Sequence, residues 1–203
     1  MPLLVNDAEL EAALIAERQE RGSDHHDEVW DGVYVMAPLA NNEHQTLATL
    51  IAGILVRFIS ESGLGIVQAG ANVSDQPVDW TQNYRVPDVL VFLNGNAAED
   101  RNTHWFGGPD FAIEIVSPKD RSREKFEFYA NVGVRELLLI DREPWQLELF
   151  RLVDGQLQSA AVATEENGLV IASQIVPITM KLVAGLKRPA ILINAPSGQS
   201  WQI

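Results

Sequence analysis

Residues 109–120, PDFAIEIVSPKD, read as a buried strand that runs into a turn, yet a carboxylate, Glu114, stands at the centre of the apolar run. An unpaired buried carboxylate is costly unless it is protonated, hydrogen-bonded, salt-bridged or bound to a metal. Any fold that buries this strand must therefore bring a proton, a cation or a donor to Glu114. A second run, RVPDVLVFL, poses the same problem, because strand alternation places Val86, Asp88, Leu90 and Phe92 on one face and Ala112, Glu114 and Val116 on one face of the other strand. The two acids are 26 residues apart in the chain and can meet if the strands are neighbours. Two hard carboxylate oxygens together with water suit Mg²⁺ or Mn²⁺. The alternative is that each acid pairs with an arginine at the edge of the core or lies at a strand end.

The 203 residues suit one domain, 1–203, with one core. NDAELEAALIAERQE has Asn6 and Glu9 at capping-box spacing and Leu10, Ala13 and Leu14 on one stripe, which predicts a first helix. Asp31-Gly32, between two β-rich runs, predicts a hairpin with a type I′ turn. A second helix starts near Asn42 and ends near Gly63, with Leu47, Leu50, Ile51, Ile54, Leu55, Phe58 and Ile59 at helical spacing. GIVQAGANVSD reads as one or two short strands, and NGNAAEDRNTHWFGG as a long loop. DRSREKFEFYANVG reads as a helix with an apolar pair, Phe126 and Tyr129, and Gly133 just past its end. RELLLID and QLELFRL are strands across the turn REPW, and a β-rich tail follows. The last ~25 residues carry no decisive pattern.

Charge and composition limit the function. Lys and Arg total 15 against 28 Asp and Glu, a net charge of −13, so the surface as a whole repels a polyanion and nucleic acid needs a local basic groove or bound cations. The densest basic cluster is Lys119, Arg121 and Arg123, directly after the Glu114 strand, where it either contacts phosphates or forms a solvated helix entry. The absence of cysteine excludes disulfides, thiolate metal sites and a cysteine nucleophile. No basic segment followed by an apolar one opens the chain, and no apolar run approaches the ~18 residues of a membrane span, which predicts a cytoplasmic protein with no membrane partner.

VPDVLVF, PDFAIEIVSP and REKFEFYANVGVRELLLID, taken in order with HDEVWDGVYVMAP and His44 downstream, resemble the Uma-type putative restriction endonuclease family, a bacterial branch of the PD-(D/E)XK nuclease superfamily. The resemblance covers about residues 25–152. It implies an α/β (α+β) fold, a restriction-endonuclease-like mixed β-sheet flanked by helices, and an endonuclease that hydrolyses DNA with Mg²⁺ or Mn²⁺ held by Asp88 and Glu114. The superfamily lysine two residues after the glutamate is absent, since Val116 stands there; the family's alternative, a lysine on the following helix, points to Lys125. By itself Lys125 reads as a solvated helix lysine partnered by Glu124 or Glu127. Glu28 occupies the place of the family's N-terminal acid, as a third carboxylate or as a surface cross-strand charge. His44 shares a stripe with Leu47, Ile51 and Leu55, either as a core histidine or at the mouth of the cavity. Tyr129 reads first as core packing, with a hydroxyl able to line the site, and His25, His26 and His104 as surface or loop residues. Cleavage of a duplex by one site per chain favours a homodimer. The rival to a nuclease is a non-catalytic scaffold or interaction protein that keeps the fold.

Overall fold

The computed structural model describes residues 8–38, 40–117 and 121–203, so Asn6 and Lys119 lie outside the described residues. The chain runs through α1 (Ala8–Glu20), β1 (Glu28–Trp30), β2 (Val33–Val35), α2 (Asn42–Phe58), β3 (Gly65–Ala69), β4 (Val73–Ser74), β5 (Tyr84–Arg85), β6 (Val89–Leu93), β7 (Glu99–Asp100) and β8 (Trp105–Phe106). It continues through β9 (Phe111–Ile115), α3 (Phe126–Asn131), β10 (Glu136–Arg142), β11 (Trp145–Val153), β12 (Gln156–Ala163), β13 (Ile171–Ala172), β14 (Thr179–Val183), β15 (Ala190–Asn194) and β16 (Ser200–Gln202). The result is a mixed α+β fold with three sheets. The central one has the order β12-β11-β10-β9-β6-β3, with β9 and β10 parallel and the other neighbours antiparallel. A second sheet, β2-β1-β5-β4-β8-β7, carries the N-terminal hairpin, and a third, β13-β14-β15-β16, is built from the C-terminal segment.

The apolar runs are continuous because the middle strands are covered on both faces. Val89, Val91, Phe111, Ile113, Ile115, Leu138 and Ile140 pack with Leu47, Ile51 and Leu55 of α2 and with Met180, Ile191 and Ile193 of the third sheet. Leu90, Phe92, Ala112, Leu137 and Leu139 point the other way, into a cluster with Phe128 and Tyr129 of α3. Glu114 follows Ile113 on β9 and so belongs to this second face. Its carboxylate is 4% exposed as part of the residue and sits in the α3 side of the core.

Local chemistry explains most element boundaries. Asp31 and Gly32 both take positive φ, 50° and 82°, as a type I′ hairpin requires. Asn41 caps α2 by accepting from His44 N at 2.9 Å. Gly133, at φ 86°, turns the chain out of α3. Several expectations are corrected. Helix α2 ends at Phe58, and Leu50 and Leu10 face outward, 44% and 50% exposed. The long loop contains the hairpin β7–β8, paired Glu99 with Phe106 and Asp100 with Trp105. The helix after β9 is short: a 3-10 turn, Ser122–Lys125, leads into six residues of α3. The undecided C-terminal residues form β14 to β16, and the alternation of Met180 and Leu182 against Ile191 and Ile193 docks that sheet on the α2 side of the core. Among the described residues no helix is long and apolar enough to cross a membrane.

Candidate functional site

Strand register brings the two acids together. β6 and β9 pair Leu90 with Ala112 and Val89 with Ile113, and one further step sets Asp88 opposite Glu114. Pro87 has no N–H to offer a ladder, and Asp88 enters the strand with its carbonyl still accepting from Gly70 N at 3.2 Å. Its carboxylate is clamped at both oxygens: Oδ2 accepts from Ile115 N at 2.7 Å, and Oδ1 lies 2.7 Å from His44 Nε2. His44 reaches it because the first turn of α2 packs over this end of the sheet, with Ser117 Oγ 3.4 Å from the other ring nitrogen.

Glu114 is held from the opposite side. Its Oε1 accepts from Lys125 Nζ at 2.9 Å and from the Tyr129 hydroxyl, and no hydrogen bond to its Oε2 occurs among the described residues. Lys125 Nζ also donates to Glu28 Oε1 at 2.9 Å. Glu28 in turn accepts from Val86 N at 2.8 Å and, through Oε2, from Trp30 Nε1 at 2.6 Å. The 3-10 turn Ser122–Lys125 thus sets Lys125 over the sheet, where its side chain is only 12% exposed. Its partners are Glu28 and Glu114 rather than its helix neighbours Glu124 and Glu127. The structure brings Asp88, Glu114, Lys125, Glu28, His44 and Tyr129 into one polar cluster at the end of β6 and β9.

In this cluster Glu28 and Glu114 share one lysine, and Asp88 adds a third negative charge that acts on Glu114. Burial, reinforced by Asp88 and Glu28 and opposed by Lys125, pushes its carboxyl up to about 8. Burial works against the Lys125 charge, but Glu114 and Glu28 outweigh it and raise the ammonium pKa above the ordinary lysine range. The lysine therefore stays charged, while burial and the neighbouring carboxylates favour the protonated form of Glu114. Burial, with the same two carboxylates, also raises Tyr129, which therefore acts as a donor. A cation can replace the proton. Among the described residues no group of three or more His, Cys, Asp or Glu has metal-binding geometry. Mg²⁺ needs less, since one or two carboxylates with waters and phosphate oxygens suffice. The opposed Asp88 and Glu114, with Glu114 Oε2 uncommitted, fit that requirement.

Of the basic cluster, Arg121 and Arg123 are described, and both are locally neutralised. Arg121 pairs with Glu124 at 2.5 Å, and Arg123 with Glu148 at 2.6 Å. His25 and His26 are exposed; His104 lies in the loop before β8 as expected but is buried there, stacked on Trp80 at 4.7 Å, and burial lowers its pKa. Two participants were not anticipated. Trp30 stands two residues from Glu28 on β1, a spacing that puts both on one face. Arg142, buried at the end of β10, donates to Asn41 Oδ1 at 2.9 Å, Ser117 Oγ at 3.2 Å and the Val116 carbonyl at 3.2 Å, which ties the start of α2 to the end of β9. Nothing in LLLIDR marks that arginine, because its partners come from distant segments.

A family model described as Uma2, "Putative restriction endonuclease", matches residues 12–184, a longer span than the motifs alone cover. Among solved structures, a putative nuclease belonging to DUF820 from Anabaena variabilis ATCC 29413 aligns with a TM-score of 0.59 at 16% identity, over 74% of this chain and 83% of that one. That likeness establishes the fold. No curated protein matches the chain.

Proposed function

The chain belongs to the Uma2 putative restriction endonuclease family, and from that premise we propose that it is a nuclease that hydrolyses DNA phosphodiester bonds with Mg²⁺ or Mn²⁺. The observation that carries the reading is the pair Asp88 and Glu114, opposed on neighbouring strands with Lys125 Nζ 2.9 Å from Glu114. The cation, when bound, would offset the paired carboxylates and polarise a phosphate oxygen. His44 and Ile115 N hold Asp88 in place, and Tyr129 fixes Glu114 by its inner oxygen. Lys125, kept charged by Glu28, offers a positive charge to the phosphate as negative charge develops on it. Cutting both strands of a duplex with one such site per chain calls for two copies.

Supercoiled plasmid is expected to be nicked with Mg²⁺ or Mn²⁺ and left intact in EDTA. Metal is also expected to raise Tm by several degrees, since a ligand at a hundredfold excess over Kd stabilises by about 2.7 kcal/mol. Asp88→Asn combined with Glu114→Gln should abolish both effects. A double variant that responds to metal as the wild type does removes the assignment, and a wild type that cleaves no DNA with any metal favours the scaffold.

DNA affinity is expected to be weak and salt-sensitive, because the net charge of −13 opposes association. Arg121→Ser with Arg123→Ser should lower affinity and flatten the salt dependence by about one to two counterions. An unchanged slope in a fluorescence-anisotropy titration places the DNA on another surface.

A further inference from the structure

Beside the carboxylates lies a flat aromatic surface that the hydrolytic chemistry does not use. Trp30 is partly exposed on β1. Its indole edge is fixed by the 2.6 Å bond from Nε1 to Glu28 Oε2, the same carboxylate whose other oxygen holds Lys125. The guanidinium of Arg85 also lies over the indole, 4.7 Å from the ring centroid. Arg85 is itself buried, packed over Phe128 at 4.3 Å, and bonded to Val29 O at 2.9 Å and Asn83 Oδ1 at 3.0 Å, so it does not move away. A second guanidinium, that of Arg121, lies 4.3 Å from the Trp30 centroid. Arg121 is different, because its carboxylate partner among the described residues, Glu124, is exposed. Such a screened surface pair is worth about 0–1 kcal/mol, so Arg121 can leave it at little cost.

A rigid indole, anchored below and covered by a displaceable arginine, next to the residues that hold Lys125, is suited to one kind of ligand group. We propose that Trp30 and Arg121 form a subsite for an unstacked nucleobase, with the base lying against the indole and Arg121 turning to the base or to the adjoining phosphate. The inference rests on the nuclease reading and extends it to a substrate class: DNA that is single-stranded, or locally unpaired, at the cut. Within a duplex each base has both faces covered by its neighbours, so the indole can engage only a base that has left the stack. Stacking also supplies what the electrostatics withhold. A chain with a net charge of −13 gains little from phosphates, whereas a base face binds without regard to that charge.

The test is equilibrium binding of labelled oligonucleotides in EDTA to the full chain and to Trp30→Phe and Trp30→Leu. Both substitutions remove the N–H that serves Glu28, and only leucine removes the aromatic face. Wild type is expected to prefer an oligothymidine single strand over a hairpin duplex. Trp30→Phe should bind the single strand within about threefold of wild type, whereas Trp30→Leu should lose about fivefold or more on the single strand and little on the duplex. A wild-type arm independent of folding uses an oligonucleotide with abasic sites in place of the bases, which should bind about as weakly as Trp30→Leu binds the intact strand. Equal binding by the two variants, equal loss on single strand and duplex, or full wild-type affinity for the abasic strand overturns the subsite. If wild type still nicks DNA with Mg²⁺, that result leaves the nuclease reading in place. Failure of wild type to bind or cut any DNA removes both.

Discussion

Lys125→Ala is expected to lose about 3–5 kcal/mol of stability and at least about 100-fold in cleavage. As a solvated helix lysine it would be dispensable to the fold. The structure instead buries its side chain between Glu28 and Glu114, each 2.9 Å from Nζ. Removing it leaves the enclosed Glu28 carboxylate without its cation and Glu114 without one of its two donors, the situation in which a broken buried pair is most costly. Urea denaturation should report the stability loss, and plasmid nicking, at a temperature where the variant is folded, the catalytic one. Two further variants separate the effects. Adding Glu114→Gln fixes the neutral form that Glu114 otherwise reaches only by holding a proton, so the double variant should recover part of the stability and none of the activity. Adding Val116→Lys instead returns a charge from the strand. Val116 N pairs with Ile140 O at 2.9 Å, which extends β9 by a residue, and its side chain packs on the same face as Ala112 and Tyr129, beside Glu114. Partial recovery of both stability and cleavage is expected there. Wild-type stability and cleavage rates in Lys125→Ala would sink the role given to this lysine.

Glu114→Gln is expected to remove the destabilisation of the metal-free protein by alkaline pH. With its folded pKa raised from 4.5 to about 8, Glu114 costs the native state nothing while it is neutral in both states. As pH rises from 4.5, the unfolded chain releases this proton and the folded protein retains it, so stability falls until the folded group ionises near pH 8. The upper limit of that loss is about 5 kcal/mol, at 1.36 kcal/mol per pKa unit. Lys125 and Tyr129 are shifted upward from 10.5 and 10.0, so their contributions change at pH values above this window. The lowered His104 acts within it in the opposite sense, losing stability as pH falls below 6.5. The difference between wild type and Glu114→Gln cancels that contribution. In paired Tm measurements across pH 5–9 in EDTA, the variant should equal or exceed wild type at the alkaline end and lack its decline. Parallel curves would mean that Glu114 is ionised throughout. On the proposed metal-dependent reading a cation would displace the same proton, so stabilisation of wild type by Mg²⁺ should grow over the same range.

Local signals were legible where a short stretch of chain carries its own physics. The hairpin at Asp31-Gly32, the cap and apolar face of α2, the strand FAIEI and the glycine exit after α3 all depend on neighbours within a few residues. The acids were legible for the same reason, since a carboxylate inside an apolar run announces an unmet requirement. Weak or distant signals were not. β7 and β8 are two residues each and owe their existence to pairing with one another and with β4. The C-terminal strands gain their order from docking against the α2 side of the core. His104 gave no sign that Trp80 would cover it.

By itself, then, the sequence determined that Asp88 and Glu114 must be satisfied and that each belongs to a buried apolar run, while the family resemblance, not the local residues, offered Lys125 for the charge missing at Val116. Only the tertiary structure decided how. The antiparallel register of β6 and β9 sets the two carboxylates opposite each other, α2 carries His44 to one of them, and the turn into α3 returns Lys125 between Glu114 and Glu28. Those meetings join residues up to 97 positions apart. Their energies arise from enclosure and short distance, which no local stretch of chain contains, and the lysine shared by Glu28 and Glu114 exists only once both carboxylates are in place.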